Sequence, residues 1–231
     1  MEGQAGRNIV VVAASAGGLA PLRQFLGGLP GDLPASVLAV LHIPATGGRA
    51  LPSILDRSGP LPAAAATDGE KLSPGRVYVA PPDHHLLVVN GTIRLSRGPR
   101  QNGVRPAADP MFRSTALYAG PRAIAVVLSG TLEDAALGCA TVERRGGRVL
   151  VQDPAEAAYP GMPESALAAT RHAVARPVSE LAGLVSRLAA EDRPARDDRP
   201  EPELEAEVNR LLSGDPGAGP GGEGTQAAFR R

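Results

Sequence analysis

Three residues of this chain belong to the types that nucleophilic acyl chemistry requires, and each follows an apolar run. Ser15 stands in Ser15-Ala16-Gly17-Gly18 after the run 9–13, His42 closes the run 36–41, and Asp134 lies in the turn after the run 123–128. A serine hydroxyl is a poor nucleophile until an imidazole accepts its proton, and the imidazole needs a carboxylate to hold its tautomer and stabilise its charge. Taken singly, each residue has a plainer reading. Ser15 fits a phosphate-binding or close-packed turn, His42 a satisfied strand end, and Asp134 a helix cap. Together they supply one of each required type.

The elements that must position them can be read from apolar spacing. Residues 9–13 form a run suited to a strand buried on both faces, and Leu19, Leu22, Phe25 and Leu26 then recur at helical spacing after a small-residue turn. A second strand covers 36–41, and 48–58 carries Leu51, Ile54 and Leu55 at helical spacing, while the alanines at 63–66 support no assignment. Short extended runs at 77–80, 86–89 and 93–95 follow, the last two joined by Asn90-Gly91, a strong hairpin signal. A polar loop at 97–108 leads to a helix through Tyr118, for which Asp109 is expected as N-cap and Pro110 as first helical residue. Beyond it come a strand at 123–128, a turn at 129–134, a helix at 135–145 stopped by Gly146-Gly147, and a strand at 148–152. Helices at about 163–169 and 179–190, the second begun by Ser179, complete the pattern. The fold class is α/β: a doubly wound, mostly parallel sheet with helices on both faces and an appended antiparallel β-hairpin. In such a sheet chemistry collects outside the carboxyl ends of the strands, where all three residues fall.

Composition narrows the function classes. With three Phe, three Tyr and no Trp in 231 residues, no aromatic platform for single-stranded nucleic acid is visible, and balanced charge, 24 basic against 24 acidic, argues against nucleic acid or an anionic membrane as principal partner. A single cysteine excludes an internal disulfide, and Cys139, in an apolar helical pattern, reads as core packing. No apolar run approaches the ~18 residues of a membrane span and the N-terminus lacks the form of a secretion signal, so the expected location is cytoplasmic, without membrane insertion. His84 and His85 have no further ligands at suitable spacing and are expected as loop histidines; neither metal nor cofactor is expected. Residues 1–190 read as one domain. Residues 191–231, with five Pro and six Gly, read as a disordered tail whose only periodic piece is 204–212. The tail carries ten acidic and six basic residues, leaving a mildly basic domain that could favour an acidic partner surface.

Six ordered blocks carry a family resemblance: VVAASAGG around Ser15, LHIP containing His42, VYVAPPDHHLLV at 77–88, RPAADPMFRSTA at 105–116, VVLSGTLEDAALG at 126–138 and YPGMPESAL at 159–167. Over about residues 8–190 the chain resembles the catalytic domain of the bacterial chemoreceptor methylesterases of the CheB type. The resemblance implies Ser15 as nucleophile, His42 as base and Asp134 as third member of a triad. It also departs from the family pattern, with Ala16 where Thr is frequent and Thr131-Leu132-Glu133-Asp134-Ala135 where a Met-Gly-Asn-Asp-Gly run is common. Ala135 in place of Gly is expected to take an ordinary φ, and backbone N–H groups at Ala16, Gly17 and Thr131 are the candidates for an oxyanion hole. Seven residues precede the first strand, so the expected form is stand-alone, lacking the receiver domain of the best-known members.

The resemblance therefore implies a serine hydrolase that removes methyl esters from glutamates of a methylated chemoreceptor or similar helical receptor, with glutamine deamidation open to the same acyl chemistry. A separate response-regulator receiver protein is a further implied partner. The rival reading is a non-catalytic regulatory binding module of a chemosensory-type system, which the missing receiver and the altered turn around Asp134 motivate. A nucleotide-binding α/β domain is weaker, because the G-x-G-x-x-G spacing is lacking and the second strand ends in His42 rather than an acidic residue.

Overall fold

The structure is a computed structural model that describes residues 8–42, 50–191 and 201–213. Its centre is a seven-stranded sheet in the order β3-β4-β2-β1-β7-β8-β9, every neighbouring pair parallel. β1 (Asn8–Ala14), β2 (Ala35–Leu41) and β7 (Ala123–Val127) are buried along their whole length, as strands covered on both faces must be. β4 is Arg76–Val79 and β8 Arg148–Gln152, and the edges are the short strands β3 (Ala63–Ala65) and β9 (Val174–Arg176). The alanines left unassigned from sequence thus form an edge strand, and β9 is a strand that periodicity could not reveal in three residues.

Alternation along β1 divides the core. Ile9, Val11 and Ala13 face one apolar cluster with α3 (Ala108–Ala119), α4 (Ala136–Arg144) and α5 (Gly161–Ala169); Val10, Val12 and Ala14 face another with α1 (Leu19–Gly27), α2 (Leu51–Asp56) and α6 (Val178–Ala190). The expected hairpin is present as β5 (His85–Val89) paired antiparallel with β6 (Thr92–Ser96), and it docks on α3 where the Val88 N–H donates to Ser114 Oγ at 3.1 Å. Among the described residues no helix is long and apolar enough to cross a membrane.

Several expectations are corrected. Residues 48 and 49 of the segment read as helical lie outside the described residues. α5 begins two residues before the expected 163. Ser179 does not cap α6, whose first residue, Val178, instead donates its N–H to Glu156 Oε2 at 2.9 Å. The tail contains α7 (Pro202–Ser213), which buries Leu204, Val208 and Leu211. Glu207 pairs with the buried Arg113 of α3, and Ser96 Oγ donates to the Leu211 carbonyl. The apolar residues of α7 recur at helical spacing, and a Pro- and Gly-rich surrounding conceals them in composition alone.

Candidate active site

The parallel register sets the site. Ala14 lies opposite Leu41, and Ala13 opposite Val127, so the residues just past these strand ends form one row. Backbone bonds then fasten the row: His42 N–H to Ala14 O at 3.0 Å, Leu128 N–H to Ala13 O at 2.9 Å and Ser15 N–H to Ser129 O at 2.9 Å. The order of strands reverses between β1 and β7, and Ser15 emerges at that switch point, the crevice where open α/β sheets hold their ligands.

Two glycines make the turn around Ser15 feasible. Gly17 has φ +67, and a Cβ there would lie 2.9 Å from Ala158 Cβ and 3.0 Å from the Tyr159 ring. A Cβ on Gly130 would lie 2.8 Å from Ser15 Cβ and 2.2 Å from Met162 Sδ, so the chain after β7 reaches the serine only because this residue has no side chain. Ser15, Ala16, Gly17 and His42 line one open cleft of about 530 Å³, with Gly18, Leu19 and Arg23.

Asp134 completes the group from behind. Its Oδ2 is 2.9 Å from His42 Nε2, an ion-pair distance at which the ring N–H is not aligned as in a linear hydrogen bond. Catalytic contacts of this kind commonly tighten only when substrate is bound. With Nε2 turned to the carboxylate, Nδ1 is the nitrogen left to accept a proton. Asp134 is 3% exposed and accepts from the Ala108 N–H (2.6 Å), the Asp109 N–H (3.1 Å) and Asn102 Nδ2 (2.9 Å). The positive end of α3 therefore faces the carboxylate. Burial opposes the charge of Asp134, but His42, the Ala108 N–H and Asn102 outweigh it and hold the carboxyl below its ordinary range.

Asp109 was expected to cap α3, and it does not. The helix already begins at Ala108, and Asp109 Oδ1 accepts from the Gly138 N–H of α4 at 2.7 Å. The two aspartates cap each other's helices: Asp134, just before α4, serves the start of α3, and Asp109, in α3, serves the start of α4. Asn102 Nδ2 lies 2.9 Å from an oxygen of each. Burial first, and the Asp134 charge second, push Asp109 up to about 6, the reverse of its partner.

His85 is a further correction. It is a fully buried residue of β5, its Nε2 3.0 Å from the Pro99 carbonyl and its Nδ1 accepting the Ala107 N–H at 3.2 Å. Burial lowers it to about 4, so it is neutral and fastens the loop that delivers the start of α3. Arg105 holds the same loop, bonding Asp83 and the carbonyls of Arg97 and Gly98. Sequence reading missed Asn102, Asp109 and His85 as parts of the site; His85 and Asp109 at least stood within the blocks 77–88 and 105–116, whereas nothing marked Asn102 in its polar loop. Cys139, buried with its thiol pushed well up, lies in the apolar core. Among the described residues no group of three or more His, Cys, Asp or Glu could hold a metal ion.

Ala135 also departs from expectation. It keeps a left-handed φ of +84, and Leu132, three residues before it, has φ +64. Among the described residues the other non-glycine residues at positive φ are Asp83, Asn90 and Asn102, types that tolerate that region, so the strain is concentrated in the turn after β7.

A family model described as CheB methylesterase matches residues 10–185. Protein-glutamate methylesterase/protein-glutamine glutaminase 4 of Myxococcus xanthus is 41% identical over 181 residues, covering 78% of this chain and 50% of that protein. Protein-glutamate methylesterase/protein-glutamine glutaminase 3 of Anaeromyxobacter dehalogenans is 44% identical over 163 residues, covering 70% and 48%. The crystal structure of the Thermotoga maritima CheB methylesterase catalytic domain superposes with a TM-score of 0.74 at 32% identity, covering 79% of this chain and 98% of that one. The chain spans about half the length of these curated relatives. With a family model matching most of the chain and the fold agreeing, the chain belongs to the CheB methylesterase family.

Proposed function

We propose that the protein hydrolyses γ-methyl esters of glutamate side chains on a chemoreceptor or similar helical receptor in the cytoplasm, releasing methanol. Ser15 Oγ attacks the ester carbonyl as His42 takes its proton, and Asp134 stabilises the imidazolium that results. Backbone N–H groups at Ala16, Gly17 and Thr131 receive the oxyanion. Collapse of the tetrahedral intermediate expels methoxide, which takes the proton from His42 and leaves as methanol. Water, deprotonated by His42, then attacks the acyl-enzyme; the acyl–Oγ bond breaks, Ser15 Oγ takes the proton back from His42, and the glutamate carboxylate is freed. A glutamine amide in place of the ester would lose ammonia by the same steps, the second activity in the names of the relatives.

The observation that carries this reading is the buried Asp134, held ionised 2.9 Å from His42 at the mouth of the cleft that contains Ser15. A binding module would have no use for an imidazole and a carboxylate set behind a serine in this way. Control by phosphorylation, in this reading, comes from a response-regulator receiver. The deciding experiment measures methanol release from a methylated receptor fragment: release above a Ser15→Ala control is expected, and none would refute the esterase reading.

A further inference from the structure

The exposed large hydrophobic side chains among the described residues are Leu132 at 74%, Tyr159 at 47% and Leu19 at 38% of full exposure, and they come from three separate segments. Leu19 and Tyr159 border the Ser15 turn, and Leu132 lies two residues beyond Gly130, which packs against Ser15. Leu19 lines the cleft, the Tyr159 ring lies 3.0 Å from where a Gly17 Cβ would stand, and the Tyr159 carbonyl accepts the Gly130 N–H at 2.9 Å. Leu132 is fastened at the start of α5, two residues on from Tyr159, its backbone N 3.1 Å from a Cβ built on Gly161 and its carbonyl accepting from Ser165 Oγ at 3.4 Å.

Leu132 is doubly unfavourable to the free protein. Its left-handed φ of +64 strains any residue that carries a Cβ, and its isobutyl group is given to water rather than to the core that lies a few residues away. A glycine would relieve the first and remove the second. Strain and apolar exposure in one residue beside a reactive cleft point to a partner that covers it.

We infer that Leu132, Tyr159 and Leu19 form an apolar rim that docks the substrate polypeptide, gripping apolar side chains that flank the esterified glutamate, and that Leu132 sets the preference for a macromolecular over a small ester. The inference rests on the esterase reading for its substrate. The cleft at Ser15 admits the glutamyl side chain, and the rest of that chain must then lie across the surface continuous with the cleft. Helical substrates present side chains three or four positions apart on one face, the pattern that a rim of three separated apolar contacts can receive.

The test compares kcat/KM of the full chain on a methylated receptor fragment and on N-acetyl-glutamate γ-methyl ester amide. For Leu132→Gly and Tyr159→Ala the ratio of the two should fall by about tenfold or more, chiefly through KM on the receptor, as removal of substrate contacts remote from the reacting atoms requires. Leu132→Gly should melt no lower than the parent, which separates a docking role from a folding one, and Leu132→Met should restore the ratio. Equal losses on both esters, or a ratio unchanged within about twofold, would overturn the inference. If the parent hydrolyses neither ester, the esterase reading has failed by itself. Docking is then judged by the affinity of parent and Leu132→Gly for the same receptor fragment: weaker binding of the variant supports the rim, equal binding removes it.

Discussion

The two sides of the cleft are built on opposite principles. Behind His42, two buried carboxylates and the starts of two helices are bonded to one another, and the amide of the exposed Asn102 closes the group: Asp134 to Ala108 and Asp109, Asp109 to Gly138, Asn102 to both. In front of Ser15, the surface is apolar, exposed and at Leu132 strained. A buried polar network is stable only when every member is satisfied, so it holds one geometry; an exposed apolar rim has no geometry to defend until something covers it. The reaction needs its base held in place before the substrate arrives, whereas recognition gains from surface left free. In the proposed reading the difference separates chemistry from selection, and the turn 131–135 spans both, carrying Leu132 on one side and Asp134 on the other.

The contrast breaks most violently from behind. If the proposed triad operates, Ser15→Ala and His42→Ala should each lower kcat by about a thousandfold or more, and combining them should add little, because triad members act as a unit. Asp134→Asn should lower kcat by about a hundredfold or more while the protein stays folded, since Asn offers the α3 N–H groups an acceptor but neither a charge nor the same acceptance from His42. Losses that multiply in the double variant, or full activity of Asp134→Asn, would return these residues to structural roles.

A smaller effect comes from further back. α7 covers the face of α3 remote from its start, burying three apolar side chains and pairing Glu207 with Arg113, itself 5% exposed. Removing residues 201–231 strips Arg113 of its carboxylate and uncovers that face, at a cost of about 3–5 kcal/mol and a melting temperature lower by about 10 °C. Because Arg113 Nε also donates to the Asp109 carbonyl at 3.3 Å, turnover should fall with it, though by far less than in Asp134→Asn. A truncated chain that melts with the parent would show that α7 contributes nothing.

These two predictions differ in how much of their basis could be read in the sequence. The central strands and the three residues after them were legible because uninterrupted apolar runs mark buried parallel strands and because Ser, His and Asp each stood after one, whereas the short edge strands β3 and β9 were not. What lay beyond reach was direction. Asp109-Pro110 has the form of a cap for its own helix, yet the carboxylate turns to α4, because Ala108 had already opened α3 and the Gly138 N–H lay within 2.7 Å. His85 looked like a loop residue until pairing with Ser96 drew it into a strand. Ala135 keeps a positive φ against its own preference, and the bonds Asp134 makes with α3 and His42 hold the residue next to it. Contacts between distant segments decided all of these, and no local pattern encodes them.

Acid sharpens the contrast within the buried side. Asp109, raised to about 6 by burial, takes up its proton in the folded protein before the unfolded chain does, so this group favours folding more as pH falls from about 6 towards 4. His85, lowered to about 4 by burial, resists a proton that the unfolded chain accepts near 6.5, so it favours folding less over the same interval. The slopes oppose each other, each worth at most about 3 kcal/mol. Asp109→Asn removes the favourable one, and denaturation midpoints at pH 4 and 6 should then differ more than in the parent, with the variant losing more in acid. A shallower dependence in Asp109→Asn would mean that this carboxyl is ionised throughout the interval.

The smallest expected effect falls in the turn that joins the two sides. Ala135 and Leu132 share a left-handed backbone, but Ala135 is fully buried in the core under α3 and α4, whereas Leu132 lies in water. Ala135→Gly relieves a strain of about 1 kcal/mol and gives up a buried methyl worth about 0.8 kcal/mol, so the two nearly cancel. Leu132→Gly relieves the same backbone and surrenders no burial, so it should gain where Ala135→Gly merely breaks even. Paired thermal melts decide the matter: a gain at position 132 with none at 135 identifies Leu132 as the residue whose side chain the folded domain does not need. A loss at 132 would show instead that its side chain packs in solution, and the rim would then belong to the buried side after all.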